Sequence, residues 1–193
     1  MVVLSLFDGM SCGQIAFERA GITVDKYYAS EIDEYAITVT QANYPNTIQL
    51  GSITDWQSWN IEKPDMITAG FPCQPYSMAG KRKGLSDKRG GNIVECMFGV
   101  IEKYQPEDIL LENVKGLLSI DNGNTFKNIL KTLNNIGYAV DWMIINSALV
   151  SAQNRERVYI IGKRLDKCNG QEYPVYINKD NKRNSQPSLF LTE

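Results

Sequence analysis

The chain opens on Val2-Val3-Leu4-Ser5-Leu6-Phe7-Asp8-Gly9, an apolar run that stops at an acid and a glycine. Such a run, rich in Val and Leu and without polar alternation, fits a strand buried on both faces, and Asp8-Gly9 supplies the turn that ends it. Gly13 to Ala20, with Ile15, Ala16 and Arg19 in helical spacing, reads as a helix closed by Gly21. Outward from this strand, turn and helix, the pattern repeats. Lys26 to Ser30 is a second strand ending at Glu31, and a helix from Glu34 to Asn43 stops before Pro45. Thr47 to Leu50 and Asp65 to Gly70 are short strands that run into loops at their carboxyl ends. Ile93 to Tyr104 continues as helix, Asp108 to Glu112 as strand and Thr125 to Ile136 as helix, with Ala139 to Asn146 and Arg157 to Ile161 as closing strands. Strands alternating with helices predict an α/β domain with a doubly wound, mostly parallel sheet, in which ligands sit at the carboxyl ends of the strands. No internal repeat interrupts it.

A chain of 193 residues with 43% apolar content is long enough to bury a substantial core. Its net charge of -2 does not announce a nucleic-acid partner, which would have to be met by a local patch. Lys81-Arg82-Lys83 with Lys88 and Arg89 offers one, and fits a solvated loop equally. No apolar run reaches the length of a membrane span, and Met1 leads straight into a strand-like segment, so a cytoplasmic protein is expected. Cys12, Cys73, Cys96 and Cys168 show no C-x-x-C spacing and histidine is absent, so no metal site is expected. After Arg164 the composition turns to Lys, Asn and Asp with weak periodicity, which divides the chain into a domain over 1–164 and a polar tail over 165–193.

Three blocks carry chemistry. Gly70-Phe71-Pro72-Cys73-Gln74-Pro75 places a cysteine between a rigid proline and an amide at the end of a buried run, and a reactive thiol and an inert buried cysteine are both open for it. Leu111-Glu112-Asn113-Val114 adds a carboxyl group at a strand end, where a cap or an ion-pair partner is the plainer reading. Gln153-Asn154-Arg155-Glu156-Arg157 adds two guanidinium groups that an extended segment would point to one face, or leave solvated on a strand edge. In this order and approximate spacing, from Val2 to about Gly162, the blocks resemble the DNA cytosine-5 methyltransferases. The resemblance implies the fold of the S-adenosylmethionine-dependent methyltransferases, which is Rossmann-like, with S-adenosylmethionine as cofactor and duplex DNA with a flipped cytosine as substrate. It implies a cofactor site in which Glu31 holds the ribose, Phe7 packs on adenine and Gly9 lies in the turn that admits the methionine part. Asp8, Ile32, Ser52, Ile53 and Pro72 complete that site.

The same resemblance makes Cys73 the nucleophile that adds to cytosine C6, and Glu112 the acid beside N3. It gives Arg155 and Arg157 a grip on the cytosine O2 and an adjacent phosphate, or an ion pair with Glu112. Gln74, Ser77, Asn113 and Gln153 are the expected substrate contacts. A base inside a duplex exposes neither C5 nor C6, so it must leave the stack, and the glycine-rich segment from Ser77 to Asn92 fits a loop that closes over it. The chain departs from the commonest family form at Ser11-Cys12, where two glycines usually stand, and at Ser52, where many members carry an acid. No target-recognition region is recognisable between Arg164 and Glu193. A split enzyme with a second chain, a truncated copy, a silent scaffold and an RNA cytosine methyltransferase therefore all remain open. Gln186-Pro187-Ser188-Leu189-Phe190 resembles the short peptide by which bacterial replication proteins dock on the sliding clamp. A partner of that kind through Gln186, Leu189 and Phe190 stands beside the plainer reading that the pair packs on this domain.

Overall fold

The structure, a computed structural model, describes residues 1–72 and 93–168. Cys73, Gln74, Ser77, the basic run from Lys81 to Arg89 and the Gln186 to Phe190 peptide lie outside the described residues.

Seven strands form one sheet: β1 (Val2–Leu6), β2 (Lys26–Ser30), β3 (Ile48–Gln49), β4 (Met66–Gly70), β5 (Asp108–Val114), β6 (Tyr138–Asn146) and β7 (Glu156–Arg164). Their spatial order is β3-β2-β1-β4-β5-β7-β6. The helices are α1 (Cys12–Arg19), α2 (Glu34–Asn43), α3 (Ile93–Tyr104) and α4 (Asn124–Asn135). β1 to β5 run parallel, whereas β7 is antiparallel to both β5 and β6. The physical reason is the length of the β6–β7 connection. Ser147 to Arg155 holds no more than a 3-10 turn at Ser147–Leu149, too short for the crossover that a parallel pair needs, so the two strands form a hairpin.

The first strand is buried on both faces as its composition requires. Leu4 and Leu6 enter the main core with Ile67, Ile109, Leu111, Ile160 and the inner face of α3, while Val3 joins Tyr27 and Ala29 in a smaller cluster on the other face. Fully burying each of these aliphatic side chains contributes on the order of 2 kcal/mol. The spacing of Ile15, Ala16 and Arg19 does not define a buried stripe on α1. No residue of that helix is fully buried, and Phe17 is the one that packs on the smaller cluster. β5 runs two residues past Glu112, through Asn113 to Val114, because these residues pair with Val158 and Arg157. The last strand ends at Arg164.

Two ends of the sheet therefore differ. The carboxyl ends of β1, β2, β4 and β5 and the start of β7 converge on one edge. At the amino end of β2 a cavity of about 500 Å³ opens between α1 and the segment from Tyr44 to Ile48, away from that edge. Among the described residues no helix is long and apolar enough to cross a membrane.

Candidate active site

The turn after β1 carries three left-handed residues in alternation: Phe7 at φ 57°, Gly9 at φ 60° and Ser11 at φ 58°. For Phe and Ser this conformation costs roughly 1 kcal/mol each, so surrounding contacts must hold it. Those contacts converge on Asp8. Its carboxylate accepts from the Tyr27 hydroxyl at 2.8 Å and from the Ser11 hydroxyl, and its own N–H donates to the Ser30 carbonyl at 3.2 Å. Burial, then the charge of Asp8, pushes the Tyr27 phenol well above its ordinary ionisation range, which keeps the hydroxyl a donor. Asp8 thus holds the turn itself.

Glu31, at the end of β2, ties this turn to its neighbour. Its Oε2 accepts from Gly9 N–H at 2.7 Å, and its Oε1 accepts from Ile32 and Asp33 N–H at 2.7 and 2.9 Å. Three backbone donors thus fix the position of this carboxylate. With about four acceptor positions on two oxygens, one further donor can be taken without displacing any of them. Beside it Ile32 is 73% exposed, an apolar surface with no core to join. Ile53 departs from expectation: it is 5% exposed and packs in the main core, so its side chain is not free for adenine. Ser52 is half-buried and caps the 3-10 turn at Ile53–Ser58, accepting from Thr54 N–H at 3.2 Å.

On the other side of β1, the end of β4 meets the end of β5. Gly70 pairs in register with Glu112, and a Cβ at Gly70 would stand 3.5 Å from the Glu112 carboxylate. Arg157 crosses from β7 to the same carboxylate, with Nε 2.7 Å from Oε1, and both side chains are less than a third exposed. Of the two uses the sequence left for the arginines, Arg157 takes the ion pair. Arg155 is not part of that pair. It precedes β7 and is exposed; its N–H donates to Asn146 Oδ1 at 3.1 Å, and no ion pair is formed by it among the described residues. Gln153 likewise sits in the exposed hairpin connection, where its carbonyl accepts from the Ser147 hydroxyl at 2.6 Å.

Asn113, expected at the substrate, is 2% exposed and spends both ends of its amide inside the protein. Its Nδ2 donates to the Phe71 carbonyl at 2.8 Å and its Oδ1 accepts from Val114 N–H at 2.8 Å. It therefore anchors Phe71-Pro72, the last described residues before Cys73, to the end of β5. Phe71 is itself buried in the main core. The contacts that sequence reasoning missed are those of Tyr27 and Ser11 with the Asp8 carboxylate and those of Asn113 with the backbone of Phe71 and Val114. Only the proximity of Ser11 to Asp8 signalled one of them.

These features match what S-adenosylmethionine asks of a site: a free acceptor position on Glu31 for a ribose hydroxyl, and apolar surface at Phe7 and Ile32 for a purine. The space beside Gly9 is open as well, since a Cβ there would meet nothing within 4 Å. A doubly wound sheet with a carboxylate at the end of β2 and a carboxylate–guanidinium pair at the end of β5 is the frame of a Rossmann-like methyltransferase. A family model for the C-5 cytosine-specific DNA methylases matches residues 1–190, and the chain belongs to that family. It is 39% identical to the type II methyltransferase M.BsuFI of Bacillus subtilis over 86% of its own length and 40% of the relative's. To M.NgoBI of Neisseria gonorrhoeae it is 36% identical, over 98% of this chain and 61% of the relative. To M.HgiCI of Herpetosiphon aurantiacus it is 42% identical, over 82% and 38%. The chain thus spans about half the length of the curated relatives it matches. The Dnmt2 methyltransferase of S. pombe superposes with a TM-score of 0.69 at 23% identity, covering 86% of this chain and 51% of that one, which supports the fold. Members of the family use S-adenosylmethionine as methyl donor.

Proposed function

We propose that this chain carries the catalytic domain, over residues 1–164, of a DNA cytosine-5 methyltransferase. The observation that carries the reading is the Glu112–Arg157 pair at the end of β5, directly beside Gly70-Phe71-Pro72 and at the same end of the sheet as the Glu31–Gly9 tie. S-adenosylmethionine, when bound, supplies an electrophilic methyl group. Glu31 takes a ribose hydroxyl, Phe7 and Ile32 flank the adenine, and the backbone at Ser52 and the ring of Pro72 border the site. Cytosine C5 is a weak nucleophile, and addition of the Cys73 thiolate to C6 makes it enamine-like. Glu112 supplies a proton at N3 as negative charge builds on the ring, and Arg157 orients the carboxyl group while facing the base O2. Gln74, Ser77 and Gln153 are assigned to the base and its phosphates, with Arg155, exposed, on a phosphate. Asn113 acts by holding Phe71.

We assign target recognition to polypeptide outside the described residues, in this chain or in a second one, and we place the enzyme in the cytoplasm. The tail peptide at Gln186, Leu189 and Phe190 is assigned to a sliding clamp. A non-catalytic scaffold is the second reading. The test pairs two measurements on the intact chain. Calorimetry with S-adenosylmethionine should show binding that Glu31→Ala weakens by about 1 to 3 kcal/mol, as expected for lost hydrogen bonds to a charged group. Tritiated cofactor with duplex DNA or tRNA should label the DNA, and Cys73→Ser should abolish labelling without touching cofactor binding. Label in tRNA alone would move the substrate to RNA, binding without label on either nucleic acid would favour the scaffold or a split enzyme that needs its second chain, and absence of binding would overturn the reading.

A further inference from the structure

Glu156 stands between Arg155 and Arg157, and its side chain has a partner of its own. Lys115 Nζ lies 2.9 Å from both Glu156 oxygens, although the two side chains are 51% and 42% exposed. A surface pair of this kind contributes little to overall stability. Its place is more informative than its strength. The β5–β7 ladder ends on Asn113 opposite Val158 and Val114 opposite Arg157, and the same count continued by one rung sets Lys115 opposite Glu156. Arg157 and Glu112 meet on one face of this ladder end, and because side chains alternate across a strand, Lys115 and Glu156 meet on the other.

We propose that the Lys115–Glu156 pair is the register key that keeps Arg157 on Glu112. A slip of β7 by one residue in either direction would set Lys115 opposite Arg155 or Arg157, a direct like-charge contact. The same slip would turn Arg157 to the opposite face of the sheet, away from Glu112. At the far end of the ladder, register is fixed by shape: Gly162 lies against Ile109, where a Cβ would come within 2.5 Å of the isoleucine. At the site end packing stops at Asn113 and Val158, which are buried, and the outermost positions, Val114 and Lys115, are exposed and have no such steric stop. Charge alternation in Arg155-Glu156-Arg157 performs that task, which makes Lys115 and Glu156 positioning residues for the ion pair. The inference rests on the reading that Arg157 serves the reaction, while its test reads Arg157 directly and does not require turnover.

The test is exchange of the Arg157 Nε proton, followed by NMR on the intact 15N-labelled chain and assigned with Arg157→Lys. Lys115→Met and Glu156→Gln should each speed that exchange about fivefold by loosening the ladder end, and Lys115→Arg should leave it as in the parent. The reciprocal variant Lys115→Glu with Glu156→Lys separates a register key from an ordinary ion pair. It restores the attraction, yet a slipped register would now set a glutamate opposite arginine, so exchange should stay fast even as thermal stability returns. Parental exchange in the reciprocal variant, or in Lys115→Met, would overturn the proposal.

Discussion

Tyr27 shows how much of this site is held by groups that never face it. Its hydroxyl donates to Asp8 at 2.8 Å, and it stands 3.0 Å from the position a Cβ would take at Gly13, near the start of α1. The two contacts oppose each other in any substitution. Tyr27→Phe removes a donor from a carboxylate that steadies the strained turn, and should lower stability by about 1 to 2 kcal/mol. Gly13→Ala should also destabilise, because the hydroxyl it presses on is fixed by Asp8 and cannot give way freely. In the Tyr27→Phe background that obstruction is gone, so Gly13→Ala should gain up to about 1 kcal/mol from helix propensity. Urea unfolding of the four proteins checks this, and a change of the same sign for Gly13→Ala in both backgrounds would remove Tyr27 from the account. Asp8, Glu31 and Glu112 were all legible as acids at strand ends. Which one turns inward was not, because that depends on a tyrosine a whole helix away in sequence.

At the scale of elements, the junction of β2 and α2 is stapled by two successive acids. Glu31 takes Ile32 and Asp33 N–H, and Asp33 Oδ1 takes Tyr35 and Ala36 N–H at 2.9 and 3.0 Å as the helix cap. Asp33→Ala should therefore cost about 1 kcal/mol by frayed helix donors, while cofactor affinity, set by Glu31, changes little. Thermal unfolding and calorimetry on one preparation decide it, and a loss of affinity equal to that of Glu31→Ala would show that cap and site are one unit. The elements themselves were largely readable, since apolar runs broken by Asp8-Gly9, Gly21 and Pro45 bracket β1, α1 and α2 within a residue or two. The direction of β7 was not read, although the brevity of the Ser147 to Arg155 connection carried it. That Arg157 and not Arg155 would pair with Glu112 was not legible either: the strand starts only at Glu156, after a connection pinned by Asn146 to Arg155 N–H and to Asn154.

Across the whole molecule, charge is divided between the two ends of the sheet. Among the described residues the Glu112–Arg157 and Lys115–Glu156 pairs lie at the carboxyl end of β5, while the amino end of β5 and the end of β7 carry a separate group of ion pairs. There Lys163 Nζ lies 2.7 Å from Glu107 and 3.0 Å from Asp108, and Arg164 lies 2.7 Å from Asp166. The hydrogen bond from Lys163, then its charge, holds the Glu107 carboxyl below its ordinary value of 4.5, and Arg164 does the same for Asp166 below 3.8. A carboxylate depressed in the folded state contributes stability that is complete above its unfolded value and is lost as pH falls through the folded one. The melting temperature of the parent should thus decline as pH drops below about 4.5, with a slope that Lys163 helps to set. Lys163→Met should melt lower at pH 7, decline less steeply in acid and approach the parent curve near the bottom of the range. Added salt at pH 7 should narrow the difference, because the carboxylates of these pairs are partly open to solvent. Cofactor affinity at pH 7 should be the same in both proteins, since the substitution lies at the opposite end of the sheet from Glu31. Parallel melting curves from neutral to acid pH would show that Lys163 serves packing alone.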